Sequence, residues 1–475
     1  MTAAASIPVA DSSPVAAMGR GVAAGFLRAA AVLLLASLIF GLLVATYYTP
    51  LAPRLNGLGL RLYLLRPLHT GAAIGWIYLG GMAMVHRWLF DHLERTLASE
   101  RALVVARGLV WRARAQLWLW TACVLIAALA YTSGYTSGRE YLEYPPWLAL
   151  PILAGWLLFA VNFAKVTGFA LARLPVYAWM WGTSVFLFVF SFVEAHAWVL
   201  DWLLARPVRD LAIQWKAMGS LVGSFNLLVY GSIAWLGTRL SGDERYARSH
   251  TAYALFLVGV LNSFTNYGHH TYHLAQGEAM KWVSFVVSMS EIVIFAKVVW
   301  DCTRIGRTWA ARGGQSAISA LLIATTVWTA LQLLLALVIS VPPLNAIVHG
   351  TLAIAAHSMG TLIGIDTMAM LAVGLWLVHE SGAAAPVAAA RRLFAIIVAN
   401  IGLALLWASL LWVGVSAGWQ LLASGRLPWI GVFPGWLGSA LIVAGSLLLA
   451  GIAPLAWPML RRQPRSARAV AASCR

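Results

Sequence analysis

Carboxylates are scarce in this chain: 16 Asp and Glu stand against 33 Lys and Arg in 475 residues, and charged residues reach only 10%. Cysteine is scarcer still. Cys123, Cys302 and Cys474 show no Cys-x-x-Cys or Cys-x-x-Cys-His spacing, which argues against covalent c-type haem and cysteine-ligated clusters. A Walker loop and a dinucleotide fingerprint are both missing, so ATP does not supply the energy. The first 20 residues lack the basic start, apolar core and cleavage site of a signal peptide. They are small, polar and Pro-containing, and are expected to form a disordered cytoplasmic arm.

Apolar residues are what the chain has in abundance, at 61% of the total and a mean hydropathy of +0.80. Such a composition must face lipid as well as a protein core. Predominantly apolar stretches of about 20 residues or more recur twelve times, roughly over 22–47, 66–90, 115–133, 147–172, 176–203, 210–237, 250–274, 280–302, 315–340, 345–378, 392–418 and 432–459. None has the alternation of a membrane-barrel strand, so all twelve are read as helices. The expected fold is all-α, a polytopic bundle of twelve transmembrane helices over 21–460, with a basic cytoplasmic tail over 461–475.

The net charge of +17 is topological and not a nucleic-acid footprint, because the basic residues fall in particular loops. Arg87 to Arg114 follow the second span, Arg239, Arg245 and Arg248 the sixth, Arg304, Arg307 and Arg312 the eighth, and Arg391 and Arg392 the tenth. With Arg461, Arg462, Arg465 and Arg468 in the tail, the positive-inside rule places both termini in the cytoplasm. Trp147, Trp198, Trp202 and Trp282 read as an interfacial belt, and Gly71, Gly75, Gly80 and Gly81 as points of close helix or cofactor approach.

Histidine carries the chemical signal. His269 and His270 are adjacent inside an apolar stretch, His349 and His357 recur in a later one, and His69 stands near the start of the second. On the expected topology all five lie toward one side of the membrane. A single intramembrane histidine is more often a helix cap or an interhelical hydrogen bond, but five at one depth point to a shared layer of redox cofactors. Lys165, Lys297 and Asp366 are charged residues within or near spans; lysines near span ends can snorkel, and none of the three is assigned a role.

These residues carry a resemblance. Arg-Pro-Leu-His69-Thr, Gly138-Arg-Glu-Tyr-Leu-Glu-Tyr-Pro145, Tyr267-Gly-His-His270, Ser290-Glu291 and His349-Gly-Thr-Leu-Ala-Ile-Ala-Ala-His357 follow in that order and spacing. They resemble the catalytic subunit of the haem-copper oxidase superfamily, nearest to the large subunit of cytochrome c-dependent nitric oxide reductase and more distantly to cbb-type oxidases.

The resemblance implies two b-type haems, with His69 an axial ligand of the low-spin haem and His357 the proximal ligand of the high-spin haem. It implies a non-haem iron or copper on His269 and His270, His349 near the haem propionates with Arg139 as a propionate partner, calcium at Glu140, and Glu291 as a buried proton relay. The bland alternatives are a solvated loop carboxylate for Glu140, a surface charge for Arg139 and a structural hydrogen bond for Glu291. His273 has no family counterpart and is given no role.

Two departures bear on activity. The histidine that normally follows the high-spin ligand by two residues is replaced by Met359, which either ligates the low-spin haem with His69 or only packs. The histidine and glutamates of span six are also missing: Met218 stands near the ligand position, with Val222 and Asn226 near the carboxylates. A thioether with two imidazoles suits reduced copper, and an empty site is equally compatible. Glu194 and His196 cannot easily rescue it, since residues two apart on a helix diverge by about 200°. Tyr230, Tyr253 and Tyr267 cannot be ranked as an oxidase tyrosine.

The resulting expectation is an enzyme of the bacterial inner membrane that takes electrons from a membrane-anchored c-type cytochrome subunit or soluble cytochrome c and reduces nitric oxide. Dioxygen reduction is the alternative chemistry. A non-catalytic haem protein for electron transfer or gas sensing is the alternative of another class.

Overall fold

A computed structural model of the chain describes residues 13–168, 170–275, 277–290, 300, 316–382, 388–424 and 433–461. Among these there is no strand, and ten helices are long and apolar enough to cross a membrane. In chain order they are α1 (Pro14–Ala45), α2 (Leu62–Thr96), α3 (Ser99–Thr132), α4 (Ala149–Thr167) and α5 (Val176–Ala195). There follow α6 (Pro207–Ser241), α7 (Ser316–Ser340), α8 (Leu352–Glu380), α9 (Ala389–Ser424) and α10 (Gly435–Leu460).

The count falls below twelve for identifiable reasons. The expected span 250–274 is helical over His250–Thr265 and then tightens into a 3-10 segment at Asn266–Thr271. Sixteen α-helical residues reach ~24 Å and the six 3-10 residues add ~12 Å, so this run is long enough for a ~30 Å core. It is not among the long apolar helices, its second half carrying Asn262, Asn266 and the two histidines. The expected span 280–302 is helical over 278–290 and then passes outside the described residues, as do Glu291 and Lys297. At the other end, α1 begins inside the stretch expected to be an arm. Ser13 Oγ accepts the Ala16 amide at 3.1 Å, and Pro14 has no amide that needs a partner.

α1 packs along α2 and α10, α5 along α6, α7 along α8, and α9 along α10. Glycine lets several of these approach at backbone distance. A Cβ at Gly402 of α9 would stand 2.8 Å from the Ala444 carbonyl of α10, and one at Gly451 of α10 2.5 Å from the Ala399 amide. Gly75 and Gly81 of α2 likewise admit Leu33 and Leu228. The centre is aromatic: Tyr78 lies edge-on to Trp120, Trp156, Phe188 and Phe225, with its hydroxyl 2.6 Å from Ser224 Oγ. Edge-to-face rings let one polar hydroxyl sit among large apolar groups without a stranded donor.

At one end of the bundle a buried ion pair ties three helices. Arg87 of α2 donates through Nε and Nη2 to both Glu380 oxygens of α8, at 2.9 and 2.7 Å. Arg239 of α6 reaches Asp91 at 3.7 Å and Glu380 at 3.9 Å. The Arg87 side chain is 5% exposed and that of Glu380 13%. Removing one partner strands the other charge, so Arg87→Leu is expected to destabilise by about 3–5 kcal/mol. Thermal melts in detergent check this, with the Arg87→Leu/Glu380→Leu double variant recovering most of the loss.

Candidate functional site

A cavity of about 1310 Å³ runs through the bundle. Its walls include Ala36 and Phe40 of α1, Leu68, Gly71 and Gly75 of α2, the Tyr141–Tyr144 loop, one stripe of α6, Thr329 and Gln332 of α7, and Thr361 of α8. It exceeds the roughly 300–1,000 Å³ of a site for one drug-sized ligand. Next to Gly71 there is open space where a side chain would stand.

Three of the expected histidines meet on this cavity: His269, His270 and His357. The double histidine sits on the 3-10 segment, not inside a helix. Its backbone is clamped: the His269 amide donates to Ser284 Oγ at 3.1 Å, and Asn345 Nδ2 donates to the His269 carbonyl at 3.2 Å. The two rings are 4.1 Å apart, and His270 lies flat on Trp215 of α6 at 4.9 Å and 2°. His269 Nδ1 is shielded and has no hydrogen-bond partner among the described residues. An orphaned imidazole nitrogen on a residue that lines a cavity fits a metal better than a core role.

His357 is held from behind by α7. With its amide oxygen accepting the Trp407 indole at 2.9 Å, Gln332 presents its nitrogen 3.1 Å from the His357 carbonyl and 3.3 Å from Nδ1. Gly360 makes room for it, since a Cβ there would fall 2.0 Å from Gln332. Met218 also lines the cavity, one turn beyond Trp215, and packs on Leu142, Ala195 and Ala217.

The remaining candidates lie elsewhere. His69 is at the α1–α2 seam beside the cavity, where its Nδ1 is 2.8 Å from the Ser37 carbonyl, leaving Nε2 for a ligand. The missing side chain of Gly41 accommodates its ring. Met359 does not line the cavity; it packs on Ala45, Leu410 and Leu441. His349 pairs with His273, ring to ring at 4.1 Å, a partnership that spacing did not reveal because the two residues come from separate segments.

The loop charges are matched by other protein charges. Arg139 grips Asp210 of α6 at 2.7 and 2.9 Å and lies over Trp198, so the expected propionate partner is held in an ion pair. Glu140 accepts from Arg66, one turn before His69. Among the described residues no three His, Cys, Asp or Glu are grouped to hold a metal; Glu140 and Glu143 are two carboxylates that share Arg66, fewer oxygen ligands than a calcium site favours. His196 has both nitrogens engaged, by the Phe192 carbonyl at 2.7 Å and the Tyr144 hydroxyl at 3.2 Å, and Glu194 pairs with Lys216 at 2.6 Å. Glu194 thus joins α5 to α6, and His196 ties the end of α5 to the Tyr141–Tyr144 loop.

The family model for cytochrome C and quinol oxidase polypeptide I matches residues 21–453. The chain belongs to this family. Its fold is similar to that of a heme-copper terminal oxidase dimer solved by cryo-EM, with a TM-score of 0.66 and 14% identity over 94% of this chain and 85% of that one. No curated protein matches the chain at a significant level. The family establishes a membrane-embedded, all-helical oxidoreductase of the haem-copper oxidase subunit I type.

Glu143, a motif residue given no role of its own from sequence, is buried in the cavity wall beside Arg66. Burial pushes its carboxyl up, with its own backbone amide and Arg66 pulling the other way. Removing the cation must raise it further. In Arg66→Gln, the infrared band of the protonated carboxyl is therefore expected to persist to higher pH than in the parent.

Proposed function

We propose that the protein is a membrane haem-containing gas reductase of the nitric oxide reductase type. The convergence of His269, His270 and His357 on one cavity supports this reading most directly. The three imidazoles lie within electrostatic range of one another, and the shielded Nδ1 of His269 has no hydrogen-bond partner among the described residues, which leaves it free to offer a lone pair to a metal. A haem bound at His357, with a metal on the imidazole pair, supplies the site at which a diatomic gas binds and accepts electrons.

The chain's own residues have separable tasks in this scheme. His357 would be the haem ligand, steadied by Gln332. His269 and His270 would hold the non-haem iron or copper, with Trp215 fixing the plane of His270 and Met218 offering a soft donor from α6. His69 would ligate a second, low-spin b haem, which Met359 would either help to hold or only pack beside. Glu291 is the proposed proton donor, His349 and Arg139 flank the propionates, and Glu140 is the proposed calcium ligand. Electrons would come from a membrane-anchored c-type cytochrome subunit or soluble cytochrome c. Two nitric oxide molecules, two electrons and two protons give nitrous oxide and water.

A second reading, electron transfer or gas sensing without turnover, is favoured by one observation: no third His, Cys, Asp or Glu joins the histidine pair among the described residues. Haem, iron and copper per purified chain, measured with reduced and carbon monoxide-difference spectra, separate the two. Two b haems, a carbon monoxide response and one further metal are expected, and His269→Ala should abolish gas turnover with the low-spin spectrum intact. Haem without the further metal transfers the case to the second reading, and absence of haem rejects both. Met359→His should shift the low-spin spectrum and potential; an unchanged spectrum removes Met359 as a ligand.

A further inference from the structure

Away from the cavity, α3 and α4 meet the lipid with an arginine that no carboxylate answers. α3 is the least buried of the ten long helices. Its core face carries Ala102, Ala106, Leu109, Ala113, Gln116 and Trp120 at helical spacing. The opposite stripe carries Val104, Arg107, Trp111, Arg114 and Trp118, all exposed. Glu100, in the first turn, is the one carboxylate of α3, and α4 has none.

Arg112 stands on the flank of α3 that meets α4. Its Nε donates to Asn162 Oδ1 of α4 at 2.6 Å, and Asn162 Nδ2 donates to the Leu109 carbonyl at 3.1 Å. Asn162 is fully buried, so this clamp fixes the guanidinium from the protein side. Gly108, one turn earlier, leaves room for it: a Cβ there would stand 3.3 Å from Arg112 Nη2. Both Nη groups stay open to the surroundings, with no carboxylate partner among the described residues. Lys165, one turn beyond Asn162 on α4, is exposed and also has no carboxylate partner among them.

These cations stand at the level of a bilayer surface. Residues 115–132 of α3 carry no charge and rise ~27 Å, close to a ~30 Å hydrocarbon core, and residues 149–164 of α4 carry none either. The hydrocarbon therefore begins just past Arg112, Arg114 and Lys165, where Trp111 and Trp118 bracket its edge as interfacial indoles do. Arg87, Arg139 and Lys216 are each answered by a carboxylate of the protein. Arg112 is held as firmly, yet its free Nη edge faces outward. Such an edge matches two oxygens of a phosphate, and basic groups between membrane helices recognise anionic headgroups.

We propose that the α3–α4 flank is a binding site for one anionic phospholipid, whose phosphate bridges Arg112 and Lys165. The lipid supplies the negative charge that these two helices do not carry, and it links them at the membrane surface. The site is separate from the cavity and independent of the haem and metal assignments.

Native mass spectrometry tests it on the full-length protein released from nanodiscs of equal phosphatidylglycerol and phosphatidylcholine, read as lipid mass retained per chain. The parent is expected to retain phosphatidylglycerol in preference, and Arg112→Gln/Lys165→Gln to lose about tenfold or more in affinity for it. Asn162→Asp places a carboxylate beside Arg112 and should release the lipid with thermal stability kept. If Arg112 and Asn162 only tether two helices, Asn162→Asp leaves lipid retention unchanged, and that result overturns the site.

Arg391→Gln, at an exposed basic position of α9, is the reference. An equal loss there means that the lipid answers to overall charge, which also overturns the site. Inorganic phosphate added to lipid-free protein in detergent is the separate arm. Phosphate retained by the parent and lost in Arg112→Gln, without a preference for phosphatidylglycerol, makes this a free-anion site and overturns the lipid. Lys165→Gln alone, at an exposed position, keeps the test decisive if a variant at Arg112 or Asn162 fails to insert.

Discussion

In a bundle this apolar, a charge cannot remain buried without an opposite charge, and that constraint organises the molecule. Arg87 with Glu380 joins α2 to α8, Lys216 with Glu194 joins α6 to α5, and Arg139 with Asp210 joins the loop after α3 to α6, while the more exposed pair of Arg66 with Glu140 joins that same loop to α2. Each pair pins a helix end. The walls between those ends therefore hold a common register, and a large internal space can stay open without the helices sliding into it. Asp366 is the exception: it is fully buried, and neither carboxylate oxygen has a hydrogen-bond partner among the described residues. Its neighbour Ile365 lines the cavity.

The open space also needs stiff walls. Tyr78 and its ring of Trp and Phe side chains fill one side with groups that have few rotamers, and Trp156 stacks on Phe188 at 4.0 Å. On the other side α7 meets α8 through Gly360 and Gly364, where Gln332 and Trp328 press into the places a Cβ would take. The same stretch of α8, Gly360–Thr367, is wound as a π-helix, with Thr367 Oγ1 donating back to the Leu362 carbonyl at 2.8 Å. A π segment widens the helix locally and often marks a functional site. Here it begins three residues after His357 and ends where Thr367 accepts the Trp76 indole at 3.2 Å.

Much of this was legible in the chain because the signals were local. Hydropathy marks the long spans, and the order of the histidine motifs points to the family that the chain matches and names three histidines, His269, His270 and His357, that the fold brings to one cavity. What was not legible depends on partners distant in sequence. Nothing near Arg139 or Glu140 announces Asp210 or Arg66, which lie about seventy residues away in either direction. His273 finds its partner in His349 only once two segments fold together. Hydropathy also does not register that the 250–274 stretch changes from α-helix to a 3-10 turn at Asn266, where the double histidine sits.

The step from His357 to Met359 shows what helical geometry permits. Two residues advance an α-helix by about 200°, so the two side chains leave α8 on nearly opposite faces. His357 accordingly lines the cavity, while Met359 packs toward Ala45 of α1, Leu410 of α9 and Leu441 of α10. One haem cannot be ligated by both. If Met359 holds a haem, it is a different haem from the one at His357, and the Ala45–Leu410–Leu441 cluster must part to admit its edge. If that cluster stays closed, a haem held by His69 would gain nothing from Met359, and the Nδ1 contact with the Ser37 carbonyl would alone orient the His69 ring. On the proposed reading, methionine at this position would therefore act as a haem ligand only if the cluster it packs on opens.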